Sequence, residues 1–508
     1  MLHPFIHARL APAKPALTMA GSGKTVGYAE LESRANRTAR LLREIDIGRG
    51  DTVAGILDND PAIFEFAWAA DRAGCHYVPI STRLTAEEAA YIVNDSGARV
   101  VFASAGLMIA ADLPGHLANG PALLMAGEGL GGWRSWDAAV ATLSDQPIAD
   151  EAAGGCMFYS SGTTGRPKGI KWPLPGDMLQ PPFIAPLLTG VYGATSDSVY
   201  LSPAPLYHAA PLVLSMTMQR LGSKIVVMES FDPEAALAAI ERHRVTLAQF
   251  VPTHFIRMLR LPDAVKARYD LSSLTCVFHA AAPCPIEIKR AMIDWLGPIV
   301  HEYYSGSEGI GATIISPKEW LERPGSVGRV LGGAIHACDE RGEPLPSGRE
   351  GVIYFAGGQA CEYHNDPAKS AEMRNAHGWG TLGDIGIVDA DGYLFLTDRS
   401  SFMIISGGVN IYPQEIENVL AVHPKVADVA VIGAPDADFG ERVVAVVQPI
   451  DMADATPAFA AELQAYCRGR LSGVKVPRQV DFAATLPRHD TGKLYKRLLR
   501  DQYREAAA

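Results

Sequence analysis

One glycine-rich loop constrains this chain more than any other stretch of its sequence. The loop reads Tyr159-Ser160-Ser161-Gly162-Thr163-Thr164-Gly165-Arg166-Pro167-Lys168-Gly169-Ile170. Glycines let a backbone come close to a ligand, and consecutive N–H groups in such a turn form a nest for an anion. The hydroxyl groups and Lys168 add further donors. The loop therefore predicts a polyphosphate site, which we favour over a flexible Gly/Ser linker.

Length, charge and cysteine usage bound the class of protein. A chain of 508 residues exceeds one hydrophobic core, so two or more domains are expected. A net charge of −11 argues against nucleic-acid binding as the main function. The seven cysteines contain no C-x-x-C pair, which indicates neither a zinc site nor a disulfide framework. Because no secretory signal or membrane-length apolar run is visible, we expect a soluble cytoplasmic protein.

Alternating strand and helix patterns predict the fold class. Residues 51–57 read as a buried strand, residues 62–73 as a helix, and Thr85 with Glu88 as a capping box that begins the next helix. Strands that alternate with helices form a mainly parallel sheet covered on both faces. We predict an α/β protein with a large multi-sheet N-terminal domain and a small α+β C-terminal domain. The C-terminal prediction rests on helices at residues 413–421 and 458–470 and on strands at 426–432 and 443–448.

Two glycine motifs resemble nucleotide signatures without meeting their requirements. Gly21-Ser22-Gly23-Lys24-Thr25 lacks the first glycine of a P-loop, whose place Thr18 holds, and no helix begins at once. We predict a hairpin turn there. Residues 378–383 fit G-x-G-x-x-G, but an acidic residue and a strand follow instead of a helix, so the dinucleotide interpretation fails.

Two later segments carry nucleotide-site chemistry. Val277-Phe278-His279-Ala280-Ala281-Ala282-Pro283 is a predicted strand that runs into small residues, against which a flat ring can lie; close packing alone would also explain the alanines. The second segment is His301-Glu302-Tyr303-Tyr304-Ser305-Gly306-Ser307-Glu308-Gly309. Its Glu308 carboxylate is the kind of oxygen ligand that Mg²⁺ prefers.

These segments, in this order, resemble the acyl-adenylate-forming superfamily of acyl-CoA synthetases, peptide-synthetase adenylation domains and luciferases. The resemblance extends from about Tyr28 to Lys496. It includes Thr381-Leu382-Gly383-Asp384, Asp398-Arg399 and, near the end, Thr491-Gly492-Lys493. The stretch from Ile405 to Pro413 is similar to CoA ligases of fatty and aryl acids.

The resemblance implies how ATP is held. Tyr304 would stack on adenine and Glu302 would accept its amino hydrogens, while Ser307 replaces the usual threonine near a phosphate. Glu308 would bind Mg²⁺, and Asp384 would accept the ribose hydroxyls. The residues expected to bind ATP or AMP are Ser160, Ser161, Gly162, Thr163, Thr164, Gly165, Lys168, Ala281, Ala282, Glu302, Tyr303, Tyr304, Ser307, Asp384 and Arg399.

The resemblance also implies the remaining roles. The catalytic residues would be Lys493, Glu308 and His208, although a histidine at position 208 could equally be structural. Gly407 and Gly408 would leave a channel for the pantetheine arm of coenzyme A. Ser401 stands at the hinge, where the family commonly has Asp or Lys. The acid pocket would be lined by His208, Thr253, His254, Ala280 and Ile310.

The implied enzyme uses ATP, Mg²⁺ and coenzyme A to convert a hydrophobic carboxylic acid into an acyl-CoA thioester through acyl-AMP. Its expected domains are residues 1–400 for adenylation and residues 401–508, a mobile domain with the catalytic lysine and the thiolation segment. Two alternatives stay open: transfer to a carrier-protein arm, and a non-catalytic nucleotide-binding protein. The expected partners are small molecules, with no nucleic acid and no integral membrane segment; a homodimer is among the assemblies allowed.

Overall fold

A computed structural model describes most of the chain. The residues it describes are all except 1–2, 119, 161–166, 359–360, 400–401, 407–408, 437, 489–493 and 506–508. Within the described part, no helix combines the length and apolar character needed to cross a bilayer. All seven cysteines are described and carry free thiols.

The described strands follow the chain in short segments. They are β1 (Pro15–Met19), β2 (Thr25–Gly27), β3 (Thr52–Ile56), β4 (His76–Pro79), β5 (Val100–Ala103), β6 (Ala122–Met125), β7 (Arg134–Ser135), β8 (Gly155–Cys156), β9 (Phe158–Ser160), β10 (Lys168–Lys171), β11 (Val199–Ser202), β12 (Lys224–Val227), β13 (Leu247–Phe250), β14 (Cys276–His279), β15 (Val300–Ser305), β16 (Ala312–Ile315), β17 (Arg329–Val330), β18 (Ala334–Cys338), β19 (Glu350–Ala356), β20 (Glu362–Tyr363), β21 (Gly380–Val388), β22 (Leu394–Arg399), β23 (Ile404–Ser406), β24 (Val409–Ile411), β25 (Val426–Asp436), β26 (Gly440–Pro449) and β27 (Gln479–Phe482).

The described α-helices alternate with these strands. They are α1 (Pro4–Leu10), α2 (Tyr28–Glu44), α3 (Pro61–Arg72), α4 (Ala86–Ser96), α5 (Met108–Asp112), α6 (Trp136–Val140), α7 (Ala209–Leu221), α8 (Pro233–His243), α9 (Pro252–Leu259), α10 (Asp263–Lys266), α11 (Ile286–Leu296), α12 (Pro317–Glu322), α13 (Pro367–Glu372), α14 (Pro413–Ala421), α15 (Pro457–Arg468) and α16 (Lys496–Glu505).

The chain divides into two compact units, and the first comprises residues 1–249, 261–277 and 360–370. It contains a six-stranded sheet in the order β7-β6-β5-β3-β4-β8, in which every pair is parallel. The predicted hairpin turn is present, because β1 and β2 pair antiparallel around residues 20–24. The predicted capping box is also present, since Thr85 and Glu88 bond each other's backbone at the start of α4.

The second unit comprises residues 250–260, 278–359 and 371–508. Two of its sheets carry predicted nucleotide residues. In one, β15 pairs antiparallel with β16, and β16 with β17. The other is a four-stranded antiparallel sheet in the order β18-β19-β21-β22. A strand begins within the motif at residues 378–383, as the sequence predicted.

The last hundred residues of the second unit form their own sheet and core. The order is β24-β23-β26-β25, with β27 parallel to β26. The predicted helix at residues 413–421 is confirmed as α14, whereas β25 and β26 are longer than predicted because they form one hairpin. Ile416, Leu420, Val431 and Phe459 are among the buried residues that pack together there. The domain boundary near Ser401 lies outside the described residues and stays a prediction.

Candidate active site

Two of the predicted nucleotide residues meet within the second unit. Tyr304 lies on β15 opposite Thr313 of β16. Its hydroxyl donates to Oδ2 of Asp384, a residue 80 positions later in the chain. Asp384 is 6% exposed, so the bond also satisfies a carboxylate that is largely withdrawn from water. The ring assigned to adenine and the carboxylate assigned to ribose therefore lie side by side.

Asp384 projects from an irregular point of β21. Between the pairs that β21 makes through Thr381 and Ile385, a single residue of β19 faces three residues of β21. The Thr381 hydroxyl donates to the Ile353 carbonyl at 2.7 Å and accepts the Gly383 N–H at 3.0 Å. Gly383 has a φ of 77°, which favours glycine. Such bulges redirect side chains, and this one aims Asp384 at Tyr304.

Gly306 brings the Glu308 turn close to the same bulge. A Cβ at Gly306 would lie 2.6 Å from Oε2 of Glu308 and 2.5 Å from Cδ2 of Leu382. A side chain at this position would therefore require the Leu382 and Glu308 side chains to move. Glu308 is half-buried and the neighbouring Ser307 is exposed. The predicted magnesium ligand and the predicted ribose ligand thus belong to one neighbourhood.

The turn after β14 is strained. Ala281 has a φ of 75° and is exposed, while Ala280 is buried and Ala282 is half-buried. A positive φ is uncommon for a residue other than glycine, and such strain concentrates at functional sites. This turn is the segment that the sequence assigned to the adenine wall.

The predicted phosphate loop connects two strands of the first unit. In the β9–β10 hairpin, Ser160 lies opposite Lys168, and Tyr159 lies opposite Gly169. The Tyr159 hydroxyl donates to Asp95 at 2.6 Å, which attaches the hairpin to α4. Both ends of the loop are therefore held in place. Residues 161–165, which the sequence also assigned to phosphate binding, lie outside the described residues.

Lys168 already has an anionic partner. Its ammonium group donates to Asp366 and lies 5.9 Å from the centre of the Tyr363 ring. This hydrogen bond lowers the pKa of the Asp366 carboxyl below its ordinary value. The sequence did not point to Asp366. A phosphate at this site would compete with that carboxylate for Lys168.

Comparison with known families decides the class. Residues 5–362 match the family described as AMP-binding enzyme, and residues 415–493 match the AMP-binding enzyme C-terminal domain. The first match alone covers more than half of the chain.

The chain belongs to the AMP-binding enzyme family.

Named relatives of this AMP-binding enzyme are similar over nearly their whole length. A feruloyl-CoA synthase of Amycolatopsis sp is 35% identical over 509 residues, which is 98% of each chain. The long-chain-fatty-acid–CoA ligase FadD13 of Mycobacterium tuberculosis is 30% identical over 515 residues, 98% of this chain and 97% of the relative. The crystal structure of ATP-bound MatB from Rhodopseudomonas palustris covers 100% of both chains with a TM-score of 0.82 and 29% identity. These matches confirm the predicted family, fold class and kind of enzyme, an AMP-forming acyl-CoA ligase.

The AMP-binding enzyme contains a buried ion pair beside its nucleotide residues. Lys289 on α11 donates to Oε2 of Glu302 at 2.5 Å, and the two side chains are 0% and 8% exposed. Nε2 of His279 lies 3.5 Å from the same oxygen. Burial raises the pKa of Glu302, which Lys289 opposes. The predicted role of Glu302 toward adenine stays a prediction.

Four of the residues predicted for the acid pocket lie in the second unit: Thr253, His254, Ala280 and Ile310. Thr253 and His254 open α9, and His254 is 6% exposed. Burial, with a smaller contribution from Arg257, lowers the pKa of His254 to about 3, so the ring is neutral at physiological pH. Ile310 is 3% exposed, and a Cβ at Gly380 would lie 2.3 Å from its Cγ2.

His208 lies in the first unit at the N-cap of α7. Its side chain makes no capping hydrogen bond, and its ring is 4.7 Å from that of Tyr207, centre to centre. The ring is half-buried. Both the structural and the catalytic interpretation are compatible with this placement.

The predicted catalytic lysine lies outside the described residues, as do Gly407, Gly408, Ser401 and the Arg399 side chain. The residues on both sides of Lys493 are described, however. Arg488 and Leu494 form an antiparallel bridge, and the Tyr495 N–H donates to the Pro487 carbonyl at 2.8 Å. The two flanks of Lys493 therefore lie side by side.

Both flanks of that segment carry ion pairs. Arg488 donates through two nitrogens to Asp428 of β25. Lys496, the first residue of α16, pairs with Glu417 of α14 at 2.8 Å, and the Val431 N–H also donates to Glu417 at 2.7 Å. These contacts hold the two flanks on the C-terminal sheet.

The sequence did not identify three of the residues that form these ion pairs, namely Asp366, Lys289 and Glu417. For Asp366 the sequence offers no signal. Lys289 does offer one, because it shares the apolar face of α11 with Met292 and Ile293, at a spacing of three to four residues. Glu417 likewise shares a face with the buried Ile416 and Leu420. A charge on an apolar helix face requires a buried partner, although the sequence does not name it.

Proposed function

We propose that this AMP-binding enzyme joins a hydrophobic carboxylic acid, whether fatty, alicyclic or aryl, to coenzyme A. The reaction consumes ATP, passes through acyl-AMP, and releases AMP and pyrophosphate. The observation that carries the proposal is the Tyr304–Asp384 pair next to the Gly306–Glu308 turn. An aromatic ring, a carboxylate suited to a ribose diol and a carboxylate suited to Mg²⁺ share one neighbourhood there.

The nucleoside contacts follow from this arrangement. Tyr304 stacks on adenine, and the exposed turn at Ala281 and Ala282 forms a second wall. Asp384 accepts hydrogen bonds from the ribose hydroxyls, and its two oxygens have enough acceptor capacity to keep the Tyr304 bond as well. Tyr303, Ser307 and Arg399 supply further contacts in the proposal, and Glu302 shares one strand face with Tyr304.

The phosphates of ATP bind to the loop from Ser160 to Gly165 and to Lys168. Lys168 exchanges the Asp366 carboxylate for phosphate, a stronger acceptor with more negative charge. Glu308 fits a magnesium site, because Mg²⁺ in nucleotide sites is held by one or two carboxylates and by substrate phosphates. When bound, the ion neutralises phosphate charge and so assists attack by an anionic acid.

The chemistry proceeds by two displacements. A carboxylate oxygen of the acid attacks the α-phosphorus, the bond to pyrophosphate breaks, and acyl-AMP forms. The Lys493 ammonium group stabilises the charge that develops on the α-phosphate, which is the main electrostatic task of the first step. In the second step the deprotonated thiol of coenzyme A attacks the acyl carbon, and the bond to AMP breaks.

The two steps use different parts of the C-terminal segment. Residues 401–508 rotate about Ser401, which withdraws Lys493 and brings Gly407 and Gly408 to the acyl-AMP, where they leave room for the pantetheine arm. A hinge needs only residues that absorb a change in φ and ψ, so serine suffices at position 401.

The composition of the residues proposed to contact the acid indicates the kind of acid. These residues, His208, Thr253, His254, Ala280 and Ile310, include no carboxylate, lysine or arginine. His254 in particular stays neutral, because its pKa is about 3. A neutral wall around the acid favours an apolar fatty or aryl group over a second carboxylate.

A screen of acids tests the proposed function. Purified enzyme is incubated with ATP, Mg²⁺ and single acids from a panel of fatty acids of graded length, hydroxycinnamic acids and dicarboxylic acids. We expect pyrophosphate release with at least one apolar acid and, after addition of coenzyme A, the thioester by mass spectrometry. Release of pyrophosphate without formation of a thioester indicates a carrier-protein acceptor. Binding of ATP without acid-dependent release of pyrophosphate for any acid of the panel contradicts the proposed activation of these acids.

Three further features stay predictions: Mg²⁺ as the metal, a homodimer, and a cytoplasmic location. Analytical ultracentrifugation of the purified chain decides the homodimer. Replacement of Mg²⁺ by a chelator in the pyrophosphate assay decides the metal requirement.

A further inference from the structure

Lys289 and Glu302 form a polar cluster with His279 in the interior of the second unit. The Lys289 side chain is 0% exposed, donates to Glu302 at 2.5 Å and lies 4.9 Å from the centre of the Trp320 ring. Taking both charges out of water is costly, and the interaction between them recovers the cost only while the geometry is kept. The cluster therefore tolerates little displacement of any member.

His279 further limits how far the Glu302 carboxylate can move. Its ring is fully buried, and neither ring nitrogen has a hydrogen-bond partner among the described residues. The ring makes a T-shaped contact with Phe255 of α9, with 5.2 Å between ring centres. Nε2 stands 3.5 Å from the Glu302 carboxylate, beyond a good hydrogen bond. A small movement of Glu302 would thus alter its contacts with both neighbours.

The members of the cluster come from three elements next to the strained turn at Ala281. His279 ends β14 immediately before the turn, and Lys289 lies in the first turn of α11 immediately after it. Glu302 lies on β15 two residues before Tyr304, and residues two apart share one face of a strand. Displacing Glu302 therefore displaces Tyr304.

We propose that Lys289 is a positioning residue for the nucleotide. Its ion pair with Glu302 fixes β15 against α11, and thereby sets the separation between the Tyr304 ring and the turn at Ala281. In this proposal Glu302 acts on adenine through position instead of direct contact. The inference rests on the proposed function, since it takes the ligand to be the adenine nucleotide of that reaction.

The test measures AMP binding by titration calorimetry on the full-length enzyme, so the acid need not be known. Lys289→Met leaves the Glu302 charge unpaired. Because small misplacements in an active site cost up to about 100-fold, we expect AMP affinity to fall about 10- to 100-fold. The double variant K289M/E302Q removes both charges and should regain most of that loss. Asp294→Asn, a loss of one exposed charge on the same helix, is the matched control and should bind AMP like the parent.

A second ligand separates positioning from direct contact. Inosine monophosphate lacks the adenine amino group, so positioning by Lys289 predicts that K289M loses the same factor for both nucleotides. Equal AMP affinity of K289M and the parent, or no recovery in K289M/E302Q, overturns the proposal. If K289M does not fold, E302Q alone decides, because a change in its AMP-to-inosine-monophosphate ratio indicates direct contact. Failure of the parent to bind AMP contradicts the proposed function itself.

Discussion

The second unit contains two buried Lys–Glu pairs of nearly the same geometry, in places with different functions. The nucleotide-side ion pair is Lys289–Glu302, at 2.5 Å, and the C-terminal ion pair is Lys496–Glu417, at 2.8 Å. The four side chains are between 0% and 10% exposed. Burial raises the pKa of both carboxyls, and the lysine partner opposes that shift in each.

The difference between the pairs lies in their surroundings. Glu417 receives a second hydrogen bond from the Val431 N–H, so its carboxylate is well satisfied. Glu302 instead faces His279, whose nitrogens have no hydrogen-bond partner among the described residues. The same kind of ion pair therefore lies in a fully hydrogen-bonded setting in one place and beside His279 in the other. The nucleotide-side pair should influence every step that binds nucleotide, whereas the C-terminal pair should influence only the step that uses Lys493.

The largest effect is expected from Lys493→Ala. Removing a preorganised charge at the transition state typically costs about 100- to 1,000-fold, and we expect that loss in pyrophosphate release. Thioester formation from supplied acyl-AMP should be retained, because Lys493 serves only the first step. Arg497→Ala, which breaks an exposed pair with Asp501, is the control. Equal losses in both half-reactions would remove the distinction between the two regions.

Asp384→Ala should show the next largest effect, and in both half-reactions. A hydrogen bond to a charged group contributes about 1.5–3 kcal/mol, so AMP affinity should fall about 10- to 100-fold. The parent should bind AMP more tightly than 2′-deoxy-AMP, and the variant should bind them equally. Tyr304→Phe removes only the hydroxyl that Asp384 accepts and should keep the preference for ribose. A preference that persists in D384A would contradict the ribose role.

Glu417→Gln should have a smaller and one-sided effect. The loss of one charged partner of Lys496 should reduce pyrophosphate release by a few-fold, on the scale of about 1 kcal/mol for a hydrogen bond. AMP affinity should stay at the parental value. The matched control is Glu415→Gln, on the same helix as Glu417, which weakens the pair between Glu415 and Lys475. A fall in AMP affinity for E417Q would mean that the two ion pairs are not separate in function.

The smallest expected effect is on stability at low pH. Burial lowers the pKa of His254 to about 3 and, with help from Lys289, that of His301 to about 4. Between pH 6.5 and the folded pKa, the unfolded chain binds more protons, so the free energy of unfolding falls as pH falls. For a single histidine the slope is at most about 1.4 kcal/mol per pH unit. Denaturant unfolding from pH 6.5 to 4 should show a shallower slope for His254→Gln, and an unchanged slope would contradict the shift.

Much of the fold follows from local patterns in the sequence. The capping box at Thr85, the hairpin at residues 20–24 and the bounds of α14 were all predicted, because each depends on residues a few positions apart. Residues 105–153 give no clear prediction from sequence, because their many glycines and alanines carry little periodicity. They nevertheless contain β6, β7, α5 and α6.

The candidate site divides in the same way. The order and spacing of the motifs indicated the family, which the comparisons confirmed. They also predicted Tyr304, Glu308 and Asp384 as site residues, which stays a prediction. The partners of those residues were not predictable. Lys168 pairs with Asp366, which is 198 positions later in the chain. No sequence motif near Asp366 indicates a contact with the β9–β10 hairpin.

The sequence by itself determined the class of protein, because anion nests, caps, turns and motif order are properties of short segments. Only the tertiary structure decided which polar and charged groups face each other: Tyr304 with Asp384, Lys289 with Glu302, and Lys496 with Glu417. A buried charge must find a partner, but several candidates of the right sign exist in any chain. The packing of helices against sheets selects one of them, and that selection depends on the whole fold.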